Sequence, residues 1–371
     1  MNTPIHVGIL GATGVVGQQF VRLLDGHPWF RVTWLAASER SAGKRYDELA
    51  WRLPSRLPQD VGALRVAPVS AVDDAPQLLF SALDSSVAGD AEVAYAASGR
   101  LVVSNARNHR MDPLVPLLIP EVNPDHAGLL DVQRRTRGGR WQDGGIVTNP
   151  NCATIVVAMV LAALRQFRPS RVMVTTLQAL SGAGYPGVPS LDALGNVIPY
   201  IGGGEEEKIE TETLKLLGEF DGAAVTNAPF TVSAAVNRVP VADGHTAIMS
   251  IELAARPAID DVVAALDGFT SEPQARALPS APAKPIVVHS AQDRPQPRLD
   301  VAFGNGMPVH CGRVRPCPVL GYKLVALGHN VVRGAAGAAV LNAELLIARG
   351  MALAFSSERR DRDATQPVTR T

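Results

Sequence analysis

Three glycines at three-residue intervals, Gly11, Gly14 and Gly17, separate an apolar run from a segment of helical period near the start of the chain. His6-Val7-Gly8-Ile9-Leu10 reads as a buried strand, and Gln18 to Leu24 carries apolar residues at helical spacing. A strand that turns straight into a helix leaves the helix's first amides and the positive end of its dipole facing outward. Glycines in that turn let backbone approach a pyrophosphate, which then rests on the helix N-terminus. A glycine triplet alone also fits a plain tight turn; the strand–turn–helix setting is what points to a dinucleotide. The start of the chain therefore predicts an α/β fold whose N-terminal domain is Rossmann-like. Gly11, Thr13, Gly14, Val15 and Val16 are the candidate pyrophosphate contacts.

The second strand, Arg31 to Ala37, runs into Ser38-Glu39-Arg40-Ser41. An acid at this strand end suits the ribose 2′-hydroxyl of NAD. Here a serine comes first, and Ser38, Arg40 and Ser41 suit a 2′-phosphate, which favours NADP; Glu39 leaves NAD open. Arg40 also fits a solvated loop charge. Strands at Gln77–Leu83 and Leu101–Ser104 end in Asp84-Ser85-Ser86 and in Asn105-Ala106-Arg107-Asn108-His109-Arg110. Ligands of parallel sheets gather at such ends, which adds Ser85 and Asn105 to the cofactor candidates.

Asn149-Pro150-Asn151-Cys152-Ala153-Thr154 closes a strand, Gly145 to Thr148, and opens an apolar run, Ile155 to Leu164, long enough for a buried helix. Asn151 suits the N-cap. Cys152 then falls in the first turn, where free amides and the dipole are expected to depress its pKa. The same amides could serve an oxyanion on a carbonyl under attack. The alternative is a buried, inert cysteine.

The chain of 371 residues has room for two domains. Lys+Arg 35 against Asp+Glu 35, with no basic block, argues against nucleic acid or an anionic membrane as partner. Three irregularly spaced cysteines argue for a reducing, cytoplasmic setting, and no leader or membrane span is read. The polar segment Val132 to Gly139 reads as a surface loop, and Glu272 to Pro297 as a long connection. Ala234–Pro240 and His245–Leu253 read as paired strands around Asp243-Gly244, and Glu205–Leu217 as an amphipathic helix. No His/Cys/Asp cluster has metal-ligand spacing, so no metal is expected, and Cys311 and Cys317 read as structural thiols.

Together these motifs resemble the aspartate-β-semialdehyde dehydrogenases, in the branch found in archaea and fungi. The matching stretches are Gly11 to Gly17, Ser104 to Met111, Pro150 to Thr154, Ser181 to Gly187, Gly204 to Lys208, Asn237 to Thr246 and Gly328 to Gly337. They span nearly the whole chain in order; the glycine turn is generic, whereas the Cys152, Ser181 and Arg238/His245 motifs are specific in combination. The resemblance implies reversible NADPH-dependent reduction of β-aspartyl phosphate to aspartate semialdehyde and phosphate through a cysteine thioester. That reaction lies on the route to lysine, threonine and methionine. Residue by residue it implies Cys152 as nucleophile, His245 as acid–base group and Gln178 as the residue orienting the acyl group. Arg238 would take the α-carboxylate, Glu205 the amino group, and Lys208 and Arg110 the phosphate, with Asn151 beside them. Asn105, Ser181, Gly182 and Asn330 would surround the nicotinamide. Residues 1–151 with 334–356 would bind NADP, 152–333 would carry the mixed α/β catalytic and dimerisation domain of a homodimer or homotetramer, and 357–371 would form a flexible tail. A malonyl-coenzyme A reductase of the same superfamily and a non-catalytic NADP-binding paralogue stand as alternatives.

Overall fold

The structure, a computed structural model, describes residues 4–351. Its first part is a six-stranded sheet of β1 (Ile5–Leu10), β2 (Phe30–Ala37), β3 (Val66–Pro68), β4 (Leu78–Ser81), β5 (Leu101–Ser104) and β6 (Gly145–Thr148). All pairings are parallel and the order is β3-β2-β1-β4-β5-β6. That order reverses direction between β1 and β4, which opens a crevice at the carboxyl ends of the strands. β4, β5 and β6 are buried along their whole length, as strands covered on both faces must be. One face packs under α1 (Val15–Leu24), beside the short α2 (Gln59–Gly62); the other packs under α3 (Ser85–Ala97).

Between β5 and β6 the chain forms α4 (Leu129–Arg137). This corrects the expected surface loop. The helix buries Leu129, Leu130, Gln133 and Arg134. Two of those four are polar, so no apolar stripe marks it in the sequence. Gln133 bonds both main-chain groups of Ile146 on β6, and Arg134 donates to the Gly144 carbonyl at 2.8 Å.

α5 (Cys152–Ala163) follows β6 directly. All its residues except Cys152 and Ala162 are buried, so it is a core helix, apolar all round. It lies on a seven-stranded mixed sheet ordered β13-β14-β15-β12-β7-β11-β8. The strands are β7 (Pro169–Gln178), β8 (Ile198–Pro199), β11 (Thr231–Arg238), β12 (His245–Leu253), β13 (Ile286–Val288), β14 (Val309–Cys317) and β15 (Gly321–Gly328); β9 (Glu219–Phe220) and β10 (Val225–Thr226) form a separate ribbon. The short α6 (Ser190–Ala193) precedes α7 (Glu205–Leu216), α8 (Ile259–Asp267) packs on the same sheet, and α9 (Glu272–Ala275) and α10 (Pro297–Asp300) are single turns.

β11 and β12 are not neighbours. β7 lies between them, parallel to β11 and antiparallel to β12. The expected pairing followed chain proximity, but Val239 to Gly244 carries the chain across β7 instead of folding back. The supposed connection 272–297 also holds β13, which pairs parallel with β14.

A π-helical turn, Val332–Ala336, leads into α11 (Gly337–Ala348), which returns to the parallel sheet's core. The polar tail expected beyond Ser356, and residues 352–356 assigned to the first domain, lie outside the described residues. Among the described residues no helix is long and apolar enough to cross a membrane.

Candidate active site

The β1–α1 turn is shaped by its glycines for two separate reasons. Gly11 has φ +76°, and a Cβ there would lie 2.5 Å from the Ala82 carbonyl oxygen; one on Gly17 would lie 2.3 Å from that of Gly11. Packing alone therefore excludes side chains at both. At Gly14, the N-cap of α1, a Cβ would meet nothing closer than 3.5 Å. The space left there, beside Thr13, Val15 and Val16 at the helix N-terminus, fits a pyrophosphate. Ser38 and Arg40 are exposed just past β2, with Ser41 donating its N–H to the Ser38 carbonyl, and Ser85 opens α3 behind the Asp84 cap. Asn105, past β5, donates to the Ser81 carbonyl and accepts from Asn149 at 2.8 Å.

Cys152 is the first residue of α5. The Asn151 side chain caps the helix, its Oδ1 accepting from the Ala153 and Thr154 amides at 2.9 and 3.2 Å. Those amides are therefore spent on the cap and do not face a ligand, contrary to the sequence expectation. The thiol is not depressed either. Burial pushes it up to about 12, and the Glu205 carboxylate adds to the rise; Arg110, Arg238 and Lys208 pull the other way. Desolvation outweighs the helix mouth, because a buried thiolate gives up its hydration.

The same four charges define the site. Lys208 donates to Glu205 at 2.7 Å, one helical turn apart on α7, and Asn151 Nδ2 donates to the other Glu205 oxygen at 2.8 Å. Arg110 reaches in from the first sheet's side, its Nη1 on Glu212 at 3.0 Å and its Nη2 on the Asn105 carbonyl. Arg238 ends β11 opposite Gln178 at the end of β7, and His245 begins β12 beside them. Gln178 is buried and donates to Thr176 Oγ1.

One residue's main chain orients two side chains. The Ala179 carbonyl accepts from Arg238 Nη1 at 2.6 Å, and the Ala179 N–H donates to His245 Nδ1 at 3.1 Å. His245 Nδ1 is thus an acceptor, so the neutral ring carries its proton on Nε2, which is buried without a partner. Burial first, and then the Arg238 charge, hold this imidazole down to about 3. In this arrangement His245 offers a hydrogen bond through Nε2; taking up a proton would require the bond to Ala179 to be released.

Gly182 closes over both groups. A Cβ there would lie 2.8 Å from Arg238 Nη1 and 2.9 Å from His245 Nε2. Asn330 donates to Ser181 Oγ at 2.8 Å and accepts from the Gly244 N–H at 2.8 Å, which ties the 181 loop to the start of β12. Behind Cys152, the turn 332–336 packs on both α1 and α5, and a Cβ on Gly334 would lie 2.6 Å from Cys152 Cβ. A fully buried pair, Arg333 with Glu121 at 2.8 Å, pins that turn.

The chain matches two family models: the semialdehyde dehydrogenase NAD binding domain over residues 6–129 and the semialdehyde dehydrogenase dimerisation domain over 161–333. The chain belongs to the semialdehyde dehydrogenase family. Among curated relatives, the aspartate-semialdehyde dehydrogenase of Methanothermobacter thermautotrophicus is 52% identical over 348 residues, covering 92% of this chain and 99% of that one. That of Cryptococcus neoformans is 47% identical over 365 residues, covering 94% and 98%. A crystal structure of the Candida albicans enzyme with NADP superposes with a TM-score of 0.86 at 39% identity, covering 94% of this chain and all of that one. The semialdehyde dehydrogenase fold thus accounts for both sheets.

Sequence reasoning missed Glu212, Lys215 and Ala179. Glu212 and Lys215 continue the stripe of Glu205 and Lys208 at intervals of three and four, a signal present in the sequence; a main-chain contribution such as that of Ala179 leaves none. A further cluster, His289, Asp300 and His310, lies away from this site. Asp300 already holds Arg294 and the Gln296 N–H, and His289 bonds His310 at 3.1 Å, while His310 Nε2 is buried without a partner.

Proposed function

We propose that this chain catalyses reversible NADPH-dependent reduction of β-aspartyl phosphate to aspartate semialdehyde and phosphate. The observation that carries the reading is the ring of Arg110, Lys208, Glu205 and Arg238 around the Cys152 thiol. It supplies one cation for a carboxylate, one anion for an ammonium and two cations for a phosphate, which is the charge inventory of that substrate. The M. thermautotrophicus and C. neoformans relatives bear the name of this activity.

In this reading Arg238 grips the α-carboxylate, Glu205 the ammonium, and Arg110 and Lys208 the phosphate. An ammonium on Glu205 offsets the smaller of the two effects that hold the Cys152 thiol up, and the thiol proton passes to the substrate's phosphate as the thiolate forms. The thiolate attacks the acyl carbon and phosphate leaves with the acyl C–O bonding pair, giving a thioester. Gln178 orients the acyl oxygen, and His245 Nε2–H donates to it as charge develops, the work of a neutral imidazole. NADPH, when bound, supplies the hydride for the thioester carbon. The resulting thiohemiacetal collapses, returning the sulfur to Cys152 and releasing the aldehyde. The open space at Gly14, the exposed Ser38 and Arg40 and the half-buried Ser41 suit NADP; Ser85, Asn105, Ser181, Gly182 and Asn330 complete its contacts.

The domain assignment 1–151 with 334–356, and 152–333, is part of this proposal, as are a cytoplasmic site and the aspartate route to amino acids. So is a homodimer formed on the outer face of the mixed sheet, where Arg171, Met173 and Thr175 of β7 and Ser233 and Ala235 of β11 are exposed.

The test is NADP reduction by aspartate semialdehyde in the presence of phosphate. We expect turnover that requires phosphate and falls by at least about 10³-fold in Cys152→Ser, with NADP binding retained. Full activity in Cys152→Ser removes the mechanism.

A further inference from the structure

We propose that Glu212 is a positioning residue, whose carboxylate holds the phosphate-binding Arg110 and the mouth of the Cys152 helix in one arrangement. The inference rests on the reading of Arg110 as a phosphate ligand. Glu212 lies on the inward stripe of α7, after Glu205 and Lys208 and before Lys215, and is buried. Its Oε1 accepts from Arg110 Nη1 at 3.0 Å, and its Oε2 accepts from the Asn151 N–H at 2.6 Å. Asn151 is the cap of the Cys152 helix and also donates to Glu205. One carboxylate therefore joins the parallel-sheet segment that carries Arg110, the start of α5, and α7.

Lys215 strengthens the same attachment. Its ammonium donates to the carbonyls of Arg110, Asp112 and Val115 at 2.8, 2.8 and 3.0 Å. Helix α7 thus holds the guanidinium of Arg110 with one buried charge and its main chain with another. With Nη1 on Glu212 and Nη2 on the Asn105 carbonyl, Arg110 Nε remains buried and without a partner. A guanidinium fixed at two points, with an unsatisfied donor left, is a preorganised fork for one more anion. Burying a carboxylate is costly unless its oxygens are well partnered. Both of Glu212's oxygens find their partners at this site.

Removing the Glu212 charge has two opposed effects, and their sign separates two roles. A carboxylate that merely neutralised Arg110 would, on removal, free the guanidinium and tighten anion binding. One that positions Arg110 would, on removal, loosen it. The variant is Glu212→Gln, and the probe is inorganic phosphate. It is read by thermal stabilisation of the NADP-bound protein during a phosphate titration, and by KM for phosphate during aldehyde oxidation. We expect phosphate binding roughly tenfold weaker in both readouts, with the NADP dissociation constant unchanged. The effect disappears when the substitution is made on top of Arg110→Gln, because Glu212 acts through Arg110. Phosphate binding that is unchanged or tighter overturns the proposal, and so does full additivity with Arg110→Gln. If Glu212→Gln does not fold, Glu212→Asp keeps the charge but shortens the reach, and unchanged phosphate binding in that variant overturns it equally. The titration needs no turnover. A wild-type protein that binds phosphate yet does not oxidise aspartate semialdehyde sinks the functional reading, while Glu212 is still decided by the titration.

Discussion

Side chains do the chemistry proposed here, but peptide groups aim them. Ala179 presents its N–H to His245 and its carbonyl to Arg238, so the acyl-oxygen donor and the carboxylate clamp share one anchor. Gly182 sits where both side chains converge. Its φ is not in the left-handed region, so the demand for glycine is one of space alone. Gly182→Ala is expected to push the tips of both side chains aside. The result is a fall in kcat/KM of about 10²-fold, the scale for displacing a catalytic group by about an ångström, with Tm little changed. Steady-state kinetics beside a thermal melt check this, and full activity in the variant would show that neither group is held where this reading needs it. The proton on His245 Nε2 is likewise fixed by its neighbour and not by the ring. No single-residue motif could have revealed that, since the Ala179 amide has no sequence signature.

At the scale of elements, the mixed sheet covers one face with α5, α7 and α8, while on the other, among the described residues, side chains of β7 and β11 are exposed. β7 alternates strictly, with Val172, Val174 and Thr176 inward and Arg171, Met173 and Thr175 outward. Met173 is 54% exposed, an apolar side chain in the middle of a sheet face. Met173→Asp is expected to halve the molecular mass seen in sedimentation velocity; an unchanged dimer would place the interface elsewhere. The alternation of β7 has a period of two that is set within the strand itself. The pairing of β11 was not legible in the sequence, because β7 slides between two strands that are close in sequence. Helix α4 escaped for a different reason: glutamine and arginine hold it to β6, where an apolar stripe was sought. The glycine turn, the Asn151 cap and the first turn of α5 were legible because each is decided by a few adjacent residues. What the buried surroundings do to the Cys152 thiol depends on groups from three distant segments, and local sequence cannot supply it.

For the molecule as a whole, the buried histidines His126, His245 and His310 are held in their neutral form. Burial holds His126 and His310 down to about 4 and His245 to about 3, against an ordinary 6.5. The unfolded chain takes these protons near 6.5, and the folded chain only near 3 to 4. Between those values the unfolded state binds more protons, so stability is complete above about pH 6.5 and declines as the pH falls toward 4. For His126 alone the loss is about 2 kcal/mol by pH 5. Urea unfolding at pH 7 and pH 5 is expected to show a decline that is visibly smaller in His126→Gln. An identical decline would mean that His126 does not titrate as its burial implies.

Lys208 already leans on Glu205 and Arg110 on Glu212 before any ligand arrives. The substrate's ammonium therefore enters by displacing Lys208 from Glu205, while Glu212 keeps its hold on Arg110. The substrate's carboxylate and phosphate outweigh its ammonium, and Arg238 rests only on the neutral Ala179 carbonyl, so its approach is expected to weaken as ionic strength rises. Selectivity arises at closure, when ammonium and phosphate are seated together: an ammonium alone would strand Lys208, which the phosphate otherwise receives.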